Sequence, residues 1–479
     1  MVEYTSTRNA RVVVDGATAV TDAFSEDGGL YVPKTIPKLS YADLLDLDYS
    51  SRVEKVLEAY FDFDVKGVAQ SAYCDFDDDP APTIKLDDNV FVQELWHGKT
   101  CSSKDMAYAV LPALIEHAKA AKKMSSATLI PLVTNGDMGK AAAAAFCAAT
   151  DTRLCVFYPL HGMDGTLKKE LCAVDGKNVS VVGVNGRFDD IRSIVKSVFF
   201  GGGLNAALAD NNTVLSSANS INIGIIVPQI AYYFSAYCDL VNSGEIKAGQ
   251  KIDFVVPVGN FGGTVAGYYA VKMGLPINKL VCASSDNTAF IDFVCTGEYD
   301  INTSDRKSKT SVLSNIERLV FTVSDNNAEL TAERMNELEQ DGRFSVTEHE
   351  VDVLHGTFAG NYVSAAAVKS AVSYMFDEYG YAVDTHTAAA CSAAISREFV
   401  HPTVILSLAN PYKTAVAFMQ AIGKKATEPN ERLFRLMEDE TALDVPQTLL
   451  DIFSARQVHD AVIEPQDIAE FLSKTCCKK

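Results

Sequence analysis

From about residue 90 onward, short unbroken runs of apolar and β-branched residues alternate with longer stretches of helical spacing. The runs Ala127 to Val133, Arg153 to Tyr158, Val179 to Val184 and Ile252 to Val258 carry almost no polar alternation. That pattern suits strands covered on both faces. Helical stretches at 104–123 and 139–149 lie among them, and the alternation predicts an open, mostly parallel α/β sheet. Ligands of such sheets sit beyond the carboxyl ends of the strands, so the loops that follow the strands are where chemistry is sought. Before residue 90 the pattern is mixed. Gly28-Gly29 turns into a short extended segment ending at Pro33, a helix is predicted over about 51–71, and the acidic run Asp75 to Pro82 reads as a linker or surface loop. After about 430 the chain becomes charged and helical. The expected organisation is 1–90, 91–430 and a helical extension over 431–479, with no internal repeat.

With 479 residues, 48% of them hydrophobic and 22% charged, the chain fits a soluble globular protein of two to four domains. Its 62 acidic against 42 basic residues give a formal charge of -20. That field repels phosphodiester backbones and anionic lipid, so neither nucleic acid nor membrane is an expected partner. An anionic ligand would have to be held by local features such as helix N-termini and backbone nests. The segment Met1 to Arg8 has no apolar core of the signal-peptide kind, and no run of about 18 apolar residues follows, so a cytoplasmic location is expected. The eleven cysteines, Cys147, Cys155, Cys172, Cys238, Cys282 and Cys295 among them, lack C-x-x-C spacing and read as reduced core residues. Cys476 and Cys477 are expected in a frayed tail. No cluster has metal-ligand spacing, and no metal is expected.

Three loops carry candidate chemistry. Gly259-Asn260-Phe261-Gly262-Gly263-Thr264 joins a strand to a helix, and its glycines and helix N-terminus make a plausible phosphate cradle; a plain tight turn is the alternative. Asn135-Gly136-Asp137-Met138-Gly139 opens an alanine-rich helix and suits either a bound carboxylate or helix capping by Asn135 or Asp137. In the third, Trp96-His97-Gly98-Lys99-Thr100-Cys101-Ser102-Ser103-Lys104-Asp105 puts a lysine at a helix start, where the macrodipole disfavours its charge. A lysine that loses its proton readily suits nucleophilic use, against the alternative of an exposed lysine beside a capping Asp105.

In order and spacing these loops resemble threonine synthase, a fold-type-II enzyme dependent on pyridoxal phosphate (PLP), over residues 1 to about 420. The resemblance extends to Tyr4-x-Ser6-Thr7-Arg8, Asp27 to Pro33, Glu94-Leu95-Trp96-His97-Gly98, Ser216 to Asn222, Pro228-Gln229 with Tyr232-Tyr233-Phe234, Asn315-x-Glu317-Arg318-Leu319 and Asp384-Thr385-His386-Thr387. It implies two open, mostly parallel α/β subdomains within 91–430. It also implies that Lys104 carries the cofactor as a Schiff base and serves as acid and base, and that Gly259, Asn260, Phe261, Gly262 and Gly263 bind its phosphate. Lys99, Thr100, Asn135, Gly136 and Asp137 would lie at the substrate. The implied reaction converts O-phospho-L-homoserine and water to L-threonine and phosphate.

The sequence departs from the family pattern where the substrate and the cofactor ring are expected. Met138 stands in place of a hydroxyl residue, Ser103 in place of an aromatic one, and Ile225 in place of an arginine. The segment before Asn315 has no clear counterpart over 305–312. The family's ring-nitrogen threonine is replaced by Leu408, with Ser407 beside it as a substitute if the strand shifts, and Lys99 offers a compensating cation. Three readings therefore stand: a threonine synthase, a PLP-dependent paralogue acting on another amino acid, and a non-catalytic binder of cofactor or metabolite. His97, His386 and Arg318 read as loop or core hydrogen-bonding residues. Nothing in the sequence specifies an oligomeric state or an effector.

Overall fold

The structure, a computed structural model, describes residues 2–200, 204–259, 261–285, 289–302 and 313–476. Asn260, the divergent 305–312 segment and Cys477 lie outside the described residues.

The apolar runs become two parallel sheets. The smaller has five strands in the order Val462–Ile463, Val179–Val184, Thr152–Pro159, Ala127–Val133, Thr213–Leu215, all parallel. Its central strands are buried over nearly their whole length, as unalternated sequences require. The larger runs Phe358–Tyr362, Ile277–Ser284, Ile252–Pro257, Thr403–Ser407, Val90–Glu94, Thr83–Asp87. Only its last pair is antiparallel. A three-stranded antiparallel sheet, Asn9–Val14, Tyr4–Ser6, Tyr31–Pro33, forms the N-terminal unit. It is pinned to the Ile316–Val323 helix by Arg8, whose Nε and Nη2 both donate to the Glu317 carboxylate at 2.9 Å. The mixed α/β architecture with two parallel sheets is the one expected.

Three expectations for individual elements are corrected. The helix expected over 104–123 is two, Lys104–Tyr108 and Leu111–Ala121. Pro112 has no N–H to offer the Tyr108 carbonyl four residues back, and the first helix ends there. The helix expected over 51–71 is also two, Tyr49–Tyr60 and Val68–Ala72, the second entered through Gly67 at φ 76°. Third, the C-terminal segment is not purely helical. Val462–Ile463 adds a parallel strand to the edge of the smaller sheet, and the Ile468–Cys476 helix packs Ile468, Leu472 and Cys476 into the cluster that holds Val133 and Phe157. Cys476 is therefore buried rather than frayed. Among the described cysteines none is disulfide-bonded, and most are buried or partly so, but Cys74 and Cys295 are exposed. No helix among the described residues is long and apolar enough to cross a membrane.

Candidate active site

Three strands adjacent in the larger sheet, Ile252–Pro257, Thr403–Ser407 and Val90–Glu94, end on the same side because they are parallel. Their following loops therefore converge. Gly259 and Phe261 arrive from the first, Leu408 from the second and Lys104 from the third, and all line one cavity of about 650 Å³, mouth included. The helix that starts at Ile223 closes it with Ile225, Gln229 and Tyr232. These three positions follow helical spacing on one face.

Lys104 heads a helix of only five residues, and Ser103 gives it no side-chain cap. So short a helix has little macrodipole, and the property anticipated for this lysine has another origin. Burial pushes its amine below the usual lysine range, while Asp137 pulls it partly back. Among the described residues its Nζ has no hydrogen-bond partner. A buried amine free of ion pairs is the form a nucleophile needs.

Opposite stands the 259–264 turn. A Cβ at Gly259 would meet nothing within 4 Å, and one at Gly263 would meet only Gln229 Oε1 at 3.7 Å, so both glycines border open space. Phe261 starts the Gly262–Met273 helix at φ 70°, a left-handed conformation that is rare for an aromatic residue. Its ring is nevertheless buried, with its centroid 4.3 Å from that of Phe290. Thr264 is buried beside the turn, and its Oγ1 has no hydrogen-bond partner better than the weak thiol of Cys282.

The 134–139 loop is organised by a residue the sequence reading passed over. Thr134 Oγ1 accepts from the amides of Gly136 at 3.2 Å and Gly139 at 3.0 Å and donates to the Gly136 carbonyl at 3.0 Å. Neither Asn135 nor Asp137 caps the helix. Gly139 is required by this packing, since a Cβ there would collide with the Thr134 side chain. Asn135 is exposed, a Cβ at Gly136 would meet nothing within 4 Å, and Met138 packs against the main core. Asp137 faces a cation instead. Its Oδ1 lies 2.6 Å from Lys413 Nζ as an ion pair, Lys413 donates to Glu170 at 3.0 Å, and Glu170 binds Lys140 at 2.9 Å. Burial works against the Lys413 charge, but Asp137 and then Glu170 hold it well above the usual lysine range.

Several expected site residues are not brought to the cavity. Lys99 lines a separate alanine-rich groove and pairs with Asp75 at 2.7 Å. Thr100 is fully buried, its amide and hydroxyl both donating to Asp105 at 2.7 and 2.8 Å. Ser407 faces the other side of its strand, where its Oγ accepts from Trp96 Nε1 at 3.1 Å, while Leu406 and Leu408 line the cavity. The strand does not shift, so pleat alternation leaves Leu408 in the wall. His97 is held between Asp77 at 2.6 Å and Glu94 at 2.8 Å, Arg318 donates to the carbonyls of Tyr31 and Ile221, and His386 is exposed. Of the polar residues in the lining, Tyr108 was not named from sequence, and Ser103, Ser220, Gln229, Tyr232 and Thr264 were named within motifs but given no place at the site. The helical spacing of 225, 229 and 232 is the signal that could have found two of them.

Comparison with known proteins agrees with this architecture. Residues 3–73 match the family model described as threonine synthase N terminus, and residues 79–409 match that of pyridoxal-phosphate dependent enzyme. Human threonine synthase-like 1 is 32% identical over 440 residues, covering 86% of this chain and 58% of that protein; the chain thus spans less than two thirds of that relative's length. Threonine synthase of Pseudomonas aeruginosa is 28% identical, covering 94% of this chain and 97% of that one. The crystal structure of PLP-bound threonine synthase from Brucella melitensis superposes with a TM-score of 0.85 at 26% identity over 100% of both chains. With a lysine, a glycine turn and the ends of three parallel strands meeting where that fold predicts, the chain belongs to the threonine synthase family of fold-type-II PLP-dependent enzymes.

Proposed function

We propose that the protein is a threonine synthase, converting O-phospho-L-homoserine and water to L-threonine and phosphate, with Lys104 as its cofactor lysine. The observation that carries this reading is the buried, unpaired Lys104 amine sharing one cavity with an open glycine turn.

The residues present fit pyridoxal phosphate. Gly259 and Gly263 leave space that side chains would fill, the Phe261 turn leads into helix amides, and the Thr264 hydroxyl awaits a partner. These groups would hold the phosphate through backbone N–H donors, and Lys104 would hold the other end covalently. When bound, the cofactor supplies the electron sink that acidifies the substrate Cα–H bond. Lys104 Nζ, whose charged form burial disfavours, would take that proton and return it as the reaction proceeds. The first-turn amides of Asp137 and Met138, at a helix start that no side chain caps, would offer donors to the substrate carboxylate. Leu95, Val256, Leu406 and Leu408 wall off water from the reacting centre.

Release of inorganic phosphate from O-phospho-L-homoserine tests the reading. Wild type should release phosphate and form threonine, and Lys104→Ala should lose both turnover and the visible band of lysine-bound cofactor. A wild type that shows the band but releases no phosphate overturns it. Ile225 and Leu408, both apolar and both in the lining, favour a second reading, a PLP-dependent paralogue acting on another amino acid. That reading is selected if another amino acid perturbs the band and is consumed while O-phospho-L-homoserine is not. A cytoplasmic setting and the division near residues 90 and 430 belong to the same proposal.

A further inference from the structure

The ion cluster beside the cavity bridges the two sheets. Asp137 and Lys140 sit on the helix that follows Ala127–Val133 in the smaller sheet, Glu170 on the next helix, and Lys413 on the turn that follows Thr403–Ser407 in the larger one. Its two cations and two carboxylates cancel. Glu170 and Lys413 are almost completely buried, with side chains 2% and 6% exposed. Lys104 feels the Asp137 charge without being paired to it.

Resting on the reading of Lys104 as cofactor lysine, we infer that Lys413 is a positioning residue: by pairing with Asp137 at 2.6 Å it draws that carboxylate away from Lys104 and so favours the uncharged form of the buried amine. The alternative partner for Asp137 is Lys104 itself. A carboxylate with no other cation would bind the Lys104 ammonium, and an opposite charge at close range favours the charged form by about 1 to 3 pH units. Other groups around Lys104 are accounted for. Asp105 on its own helix accepts from Thr100, Lys140 is bound to Glu170, and the phenols of Tyr108 and Tyr232 are pushed up by burial.

The neutral amine matters in one balanced step. The Lys104 nitrogen lone pair attacks the cofactor aldehyde carbon and a C=N bond forms. Both amine hydrogens leave with the carbonyl oxygen as one water. An ammonium has no lone pair to begin it. Capture of cofactor should therefore follow the fraction of neutral Lys104, and this can be read by absorbance without substrate.

The experiment titrates apoprotein with pyridoxal phosphate from pH 6 to 10 and records the midpoint for formation of the lysine-bound band. Lys413→Met should raise the midpoint by about one unit or more, Lys413→Arg should keep it near wild type, and adding Asp137→Asn to Lys413→Met should return it. Asp137→Asn alone should lower it only slightly, because Asp137 pulls on Lys104 while already engaged by Lys413. An unmoved midpoint in Lys413→Met, or a large downward shift in Asp137→Asn alone, overturns the inference. If Lys413→Met does not fold, Asp137→Asn alone decides between the same two results. A wild type without any Lys104-dependent band instead defeats the assignment of Lys104, a separate failure.

Discussion

Asp105 shows how a single residue beside Lys104 can be structural and still govern pH response. Burial pushes its carboxyl up to about 6, although Thr100 donates to it twice. A carboxyl with a raised folded pKa binds its proton more tightly folded than unfolded. Its stabilising contribution is thus present at low pH and is lost as pH rises through about 6. Between pH 7 and pH 4.5, wild type should gain about 2 kcal/mol relative to Asp105→Asn, which cannot titrate. Urea unfolding of both proteins at the two pH values measures this, and a constant difference would contradict it. At this scale the sequence pointed to Lys104 and the 259–263 turn as candidates, and the structure brings them to one cavity. The sequence did not mark that Ser407, Thr100 and Lys99 stay outside it, because the side of a strand or loop on which a side chain emerges depends on register and on partners elsewhere. The Lys413–Asp137 contact joins residues about 280 positions apart, and no local pattern marks such a pair.

Among the elements, the Gly262–Met273 helix begins in a strained turn. Phe261 adopts φ 70° while its ring is buried against Phe290, so packing and backbone preference oppose one another. Phe261→Gly would relieve about 1 kcal/mol of strain and forfeit about 3 kcal/mol or more of ring burial. The net expectation is a loss of about 2 kcal/mol, read from the denaturant midpoint, and a stabilised variant would show that strain dominates. Strands such as Val179–Val184 were legible because burial on both faces writes an unbroken apolar run. The break between Tyr108 and Leu111 was hidden by continuous helical composition, with Pro112 its only mark. The strand Val462–Ile463 was too short to leave any pattern.

For the whole molecule, the charge of -20 and the neutral cluster around Asp137 and Lys413 have a joint consequence. Long-range attraction does not deliver an anionic substrate, and the global field opposes its approach. Raising salt from about 10 mM to about 150 mM shortens the screening length from about 30 to about 8 Å. The proposed turnover of O-phospho-L-homoserine should then show kcat/KM rising with salt, and a fall would reveal an unbalanced cationic patch at the mouth.

The pairing of Val90–Glu94 with Thr403–Ser407 also sets an order of events during synthesis. The wall behind Lys104 is completed by a strand that emerges about 300 residues after it, which at about 5–20 residues per second is a wait of about 15 to 60 s. Until then the amine stands in water, protonated, and a nascent chain has no closed chamber in which to trap its cofactor. Loading thus waits for the Thr403–Ser407 strand, and ribosome-bound fragments ending before residue 403 should carry none.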